Sequence, residues 1–197
     1  MSKKPWYLTL AHIIRIVSVP PVMVGILLAL LFTLREDVFA SPTEFVASLA
    51  GLTILPILAY PVSVAIPALR KKGREGQRSL AMYFSTVGYI GVFVYGLVAH
   101  VGTGLMHIYA GYLFSVVIIL IGNKVFKVRI SGHACSVSGP LVYSGYFLGI
   151  WGIVVGVVCW GAILWASLAM KRHTFKEFIF GTLTCLVSFT VGWLIFH

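Results

Sequence analysis

Two histidines stand in company that chemistry can use. His133 closes the run Ile130-Ser131-Gly132-His133, and His173 precedes Glu177 by four residues in HTFKE. Residues four apart share one face of a helix. The Glu177 carboxylate can therefore orient the His173 ring, fix its tautomer and strengthen its free nitrogen as a nucleophile. A second histidine, His133, can protonate a leaving oxygen. Serine and glycine at a helix start present N–H groups to an anion, which makes Ser131 and Gly132 candidates to hold phosphoryl oxygens. Lys71 and Arg78 are separated by six residues on a glycine-containing loop, and Arg129 precedes His133 by four. Such side chains match the charge and geometry of phosphate oxygens. Two imidazoles, one acid and several cations can transfer a phosphoryl group without a metal.

These residues need a scaffold, and composition says which kind. The chain has 197 residues, of which 59% are hydrophobic and 10% charged; its mean hydropathy is +0.99. A soluble domain carries about 25% charged residues, so that class is excluded. Apolar stretches at about 12–34, 47–69, 80–100, 104–122, 131–149, 151–170 and 177–197 each approach the roughly 20 residues that cross a bilayer as a helix. The predicted fold is an all-α polytopic bundle of six to seven spans, one domain over 1–197. The opening MSKKPWYLTLAH runs into a full-length apolar span, so no cleavable signal peptide is expected.

Alternating the spans puts the N-terminus with Lys3 and Lys4, and the gaps 70–79, 123–130 and 171–176, on one face. Nearly all lysines and arginines fall there, while Arg35 stands alone on the other. That bias marks the cytoplasmic side of an integral membrane protein, here taken to be the cell membrane. Arg15, just inside the first span, reads as a snorkelling cation. Acids are scarce, five in all, and only Glu75 and Glu177 reach the basic face. A magnesium-dependent transferase needs clustered carboxylates, so no metal or other cofactor is expected. The cations suit topology and an anionic headgroup, and nucleic acid is not an expected partner. Cys135, Cys159 and Cys185 read as small buried hydrophobes. His12, His100, His107 and His197 lack partners at useful spacing and read as structural. Pro20-Pro21, Pro56 and Pro61 should kink their helices.

Three segments together resemble the type 2 phosphatidic acid phosphatase superfamily, whose motifs are Lys-x6-Arg-Pro, Pro-Ser-Gly-His and Ser-Arg-x5-His-x3-Asp. Here they read Lys71…Arg78-Ser79, Ile130-Ser131-Gly132-His133 and Ala166-Ser167…His173…Glu177, in the family's order, over about residues 60–185. The resemblance implies a phosphatase/haloperoxidase-like helical core and a metal-independent lipid phosphatase, acting on a phosphomonoester or diphosphate. Prenyl diphosphate, phosphatidic acid and phosphatidylglycerol phosphate all fit. By the same resemblance His173 attacks phosphorus to form a phosphohistidine, Glu177 orients it and His133 protonates the leaving group. Lys71, Arg78 and the Ser131/Gly132 backbone would hold the phosphoryl oxygens.

Departures from the pattern carry expectations of their own. Ser79 and Ile130 replace motif prolines, which concerns loop shape. Ser167 replaces the third-motif arginine, and losing such a donor costs about 3–4 kcal/mol of transition-state stabilisation. Arg129 or Arg172 is expected to supply that charge. Lys127 and Arg129 are rivals to Lys71 and Arg78 for the first clamp. The alternative function is a relative that binds a lipid phosphate for transport, sensing or scaffolding without hydrolysing it. A small channel or transporter with a basic vestibule would explain the topology but not the His173/Glu177 spacing.

Overall fold

The computed structural model of the chain describes residues 5–197, apart from the side chain of Arg74; Lys3 and Lys4 lie outside the described residues. The helices are α1 (Trp6–Val17), α2 (Pro20–Leu34), α3 (Pro42–Leu49), α4 (Leu55–Ala65), α5 (Pro67–Lys71), α6 (Gly73–Ala99), α7 (Thr103–Lys124), α8 (Gly132–Ala169) and α9 (Phe175–Phe196). A π-helical turn, Ala50–Ile54, joins α3 to α4. No strand occurs among the described residues. Five helical stretches are long and apolar enough to cross a membrane, and six if the bent pair α1–α2 counts as one span. The protein is an integral helical membrane bundle.

Proline sets the breaks, as its chemistry requires. Pro20 and Pro21 open α2 with N–H groups already missing, and α1 meets α2 at 57°. Pro56 follows the π turn, where it has no N–H to donate to the carbonyl four residues back. Pro61 is carried inside α4 without ending it.

At about 1.5 Å per residue, the 38 residues of α8 would run to about 57 Å, well beyond a hydrocarbon core of about 30 Å. The helix instead doubles back at Gly149, whose φ of 65° and ψ of −144° suit glycine alone. Its two halves lie antiparallel: Ser138 Oγ and Trp160 Nε1 both reach Thr182 Oγ1 of α9, at 3.1 and 3.0 Å. The stretches at 131–149 and 151–170 are thus the two arms of one hairpin. Both of its open ends, Ser131 and Met170, come to the same rim of the bundle.

The main core is apolar and aromatic, built from Val24, Leu27, Leu28 and Leu31 of α2, Tyr89 of α6 and Leu105, Ile108, Tyr109 and Tyr112 of α7. Cys135 and Cys185 are buried between α7, α8 and α9 beside Ile119, the small-hydrophobe role expected of them. His107 is fully buried. Its Nε2 lies 2.9 Å from the Phe189 carbonyl, and Tyr143, Tyr146, Phe189 and His197 surround its ring. At the rim far from Ser131, Arg35 pairs with Asp37 at 2.7 Å and lies over the Phe147 ring. The carboxylate holds the Arg35 guanidinium above its ordinary value, and Arg35 in turn holds Asp37 below its own.

Candidate functional site

The basic gaps converge at one rim of the bundle. The last turn of α7, the start of α8 and the start of α9 are tied there by a few polar contacts. Asn123, near the end of α7, accepts from Ile130 N–H at 2.8 Å and so holds the loop that leads into α8. Ser131 caps α8, its hydroxyl accepting from Ala134 N–H at 3.1 Å. Its own N–H donates to the Glu177 carbonyl at 3.2 Å, which binds the start of α8 to the start of α9. Thr174 and Glu177 form a reciprocal capping box, each side chain accepting from the other's backbone N–H at 3.2 Å. Gly181, one turn on, lets α9 press against that corner. A Cβ there would run into the Ser131 carbonyl oxygen and come within 2.8 Å of the Ala134 Cβ.

The result is that His133 and His173, forty residues apart in the chain, stand with parallel rings. Their centroids are 6.3 Å apart and their planes differ by 9°. His173 Nδ1 lies 3.4 Å from Glu177 Oε2, which leaves Nε2 as its free nitrogen. Burial pushes the His173 imidazole below its ordinary pKa, the charges of Arg15 and Arg78 add to this, and Glu177 opposes them. The ring is accordingly neutral near pH 7, as a nucleophile must be. The Nε2 of His133 is buried and has no hydrogen-bond partner. Such orphaned groups are rare in folded proteins and point to a missing partner.

Both rings line a cavity of about 180 Å³. Arg78, Gly132 and Asn123 share its wall near the rim, and Tyr60, Ser85, Tyr89, Ser115 and Ser136 line it further in, with Met82, Val116 and Ile119. Gly132, at the first position of α8, offers one of the N–H groups that a helix start leaves without an internal partner.

Other expected site residues fall elsewhere. Ser131 commits both its N–H and its hydroxyl to the scaffold, so it positions the site rather than facing the cavity. Lys71 is exposed at the end of the five-residue α5 and is absent from the cavity wall, where Arg78 is present. Lys127 is exposed too. Arg129 is 81% exposed and pairs with Glu177 Oε1 at 3.4 Å. Arg172 lies in a separate groove with His12 between α1 and the end of α8. Neither of the last two approaches Ser167 with its charge. Arg15 does: its Nη1 donates to Ser167 Oγ at 3.1 Å. The snorkelling expected of Arg15 is replaced by an inward contact.

Comparison with protein-family models, with curated proteins and with solved structures returns no match. The resemblance to the phosphatase superfamily is carried by the three sequence motifs alone.

Among the described residues, no three His, Cys, Asp or Glu side chains converge as metal ligands would. What the site does offer is a pair of imidazoles, a cavity-lining guanidinium and a helix start. Asn123 and Gly181 escaped the sequence reading, and Arg15 reads from sequence only as a snorkelling cation. An asparagine closing an apolar span was the visible signal for the first, and a lone arginine inside an apolar span for the last. Gly181 is one glycine among many.

Proposed function

We propose that the chain is a metal-independent membrane phosphatase acting on a phosphorylated lipid. The observation that carries this is the parallel pair of histidines on one cavity wall with Arg78, His173 being backed by Glu177. Reacting atoms in a near-attack arrangement lie about 3–3.5 Å apart, and a catalytic hydrogen bond spans about 2.6–3.2 Å. Both rings, with centroids 6.3 Å apart, line the same cavity, so that one phosphoryl group held there could meet both. In the first step His173 Nε2 bonds to phosphorus and the ester or anhydride P–O bond breaks, with His133 giving the leaving oxygen a proton. In the second, water attacks the phosphohistidine, His133 accepts its proton, the P–N bond breaks and phosphate leaves.

A lipid substrate follows from the setting. A lipid can keep its tail in the bilayer while its headgroup reaches cations at the rim. The hydroxyl-rich inner wall suits a polar headgroup better than a bare hydrocarbon. We also propose that this rim faces the cytoplasm, because exposed Lys124, Lys127, Arg129, Lys171 and Lys176 cluster there.

The test is phosphate release by the purified chain from phosphatidic acid and from a prenyl diphosphate in mixed micelles, with excess chelator present. Release should continue with chelator and vanish in His173→Ala. Release that depends on an added divalent metal would overturn the mechanism. One observation favours a second reading: Glu177 divides its carboxylate among Thr174 N–H, His173 and Arg129, as a helix cap would. Headgroup binding by both wild type and His173→Ala, with release by neither, identifies a lipid-phosphate binder.

A further inference from the structure

We propose that Arg15 supplies, from the first helix, the positive charge that the third motif lacks at Ser167, so that α1 is part of the phosphate site. The proposal rests on the phosphatase reading for its chemistry but can be tested apart from it.

The geometry is specific. Ser167 lies at the end of α8 and is fully buried, yet its hydroxyl takes a hydrogen bond from a guanidinium 152 residues earlier in the chain. The 57° break at Pro20-Pro21 turns α1 across α8, which brings Arg15 to it. Ser167 is held by one N–H of the rigid arginine fork. The groups on which the Arg15 charge acts are Tyr60 of α4, His133 of α8 and His173 of the turn before α9. All three line the one cavity. A cation within an apolar helix is costly to keep and marks function by default. Arg15 is half-buried rather than extended to water.

Charge builds on the phosphoryl oxygens during transfer, and a fixed guanidinium stabilises it without reorganising. A serine at 167 then makes sense: it is small enough to admit Arg15 and polar enough to anchor it. Neither Arg129, engaged with Glu177 at the surface, nor Arg172 is placed to do this.

The experiment uses the full chain in detergent with inorganic pyrophosphate plus chelator as the probe. Thermal shift reads anion binding and phosphatidic acid in mixed micelles reads release. Arg15→Gln keeps a donor for Ser167 but removes the charge. It should lose the pyrophosphate-induced shift and about a hundredfold in release, with the ligand-free melting temperature unchanged. Arg15→Lys should recover part of both. Arg15→Ser combined with Ser167→Arg should exceed Arg15→Ser alone at least about tenfold in release and regain the shift. The acid limb of kcat/KM should move up in Arg15→Gln, because the charge that disfavours a proton on His173 is gone; a mere tether between helices would not move it.

Full binding and release in folded Arg15→Gln overturns the clamp and leaves the phosphatase reading standing. The binding pattern above, with no release by any form, supports the clamp and ends the phosphatase reading. Loss of binding in Arg15→Gln that Ser167→Arg fails to restore in Arg15→Ser, with the ligand-free protein destabilised, overturns the clamp. No binding and no release by wild type overturns both.

Discussion

His173 works under opposing influences. Burial and the charges of Arg15 and Arg78 favour its neutral form, while Glu177 favours the protonated one, and the first group wins. Since an ordinary histidine titrates near about 6.5, the acid limb of kcat/KM for the wild type is expected below that. Replacing Glu177 with Gln removes the only influence raising the value, so the limb should fall further while kcat drops through loss of ring orientation. A pH profile of phosphate release for the two proteins checks this, and an upward move in Glu177→Gln would contradict the assigned roles. The carboxylate also meets Arg129, but that guanidinium is 81% exposed, and exposed pairs contribute little. Arg129→Ala should leave release within about threefold of wild type. His173 and Glu177 were legible from their spacing because one turn of helix allows few alternatives. The partner of Ser167 was not, since nothing local ties position 15 to position 167.

Elements hold the pair in register. The corner where α9 meets α8 depends on Ser131 N–H donating to Glu177 and on the close approach at Gly181. Adding a methyl group at Gly181 must push the two helix starts apart. A misplacement near 1 Å can cost about a hundredfold in rate, so Gly181→Ala should lose about that much release. Gly161→Ala serves as a control, because a Cβ there meets nothing within 4 Å, and its activity should match wild type. Equal activity in both variants would remove this corner from the site. Thr174→Ala deletes one side of the capping box and should cost about 1 kcal/mol of stability, read as a lower melting temperature. Caps of this sort are local, and HTFKE displays both members. The tie from Ser131 to Glu177 joins backbone groups, which carry no sequence signature.

At the scale of the whole molecule, the doubling-back of α8 is what makes a site possible. It returns the chain to the rim it left, so that Ala166–His173 ends beside Ser131–His133. With a straight α8 the two histidines would stand on opposite sides of the membrane. The arrangement also predicts sidedness. In a background with Cys135, Cys159 and Cys185 replaced, a cysteine at Lys127 should react with an impermeant thiol reagent only from the cytoplasmic side. One at Glu36 should react only from the other. Labelling of both from one side would refute the topology. Gly149→Ala should weaken the hairpin by about 1–3 kcal/mol, since its backbone conformation is strained for any residue with a Cβ.

Taken alone, the amino-acid order determined a membrane bundle, its apolar stretches, the charge bias between its faces and the pairing of His173 with Glu177. Those properties depend on hydropathy summed over a span or on contacts within one helical turn, and both can be read along a line. Tertiary structure decided which cations meet the histidines. It placed Arg78 on the cavity wall and Lys71 off it, turned Ser131 into scaffold, sent Arg129 to the surface and brought Arg15 to Ser167. Each of those outcomes depends on the angle at which one helix crosses another. Prolines at 20 and 21, the reversal at Gly149 and close packing at Gly181 set those angles together.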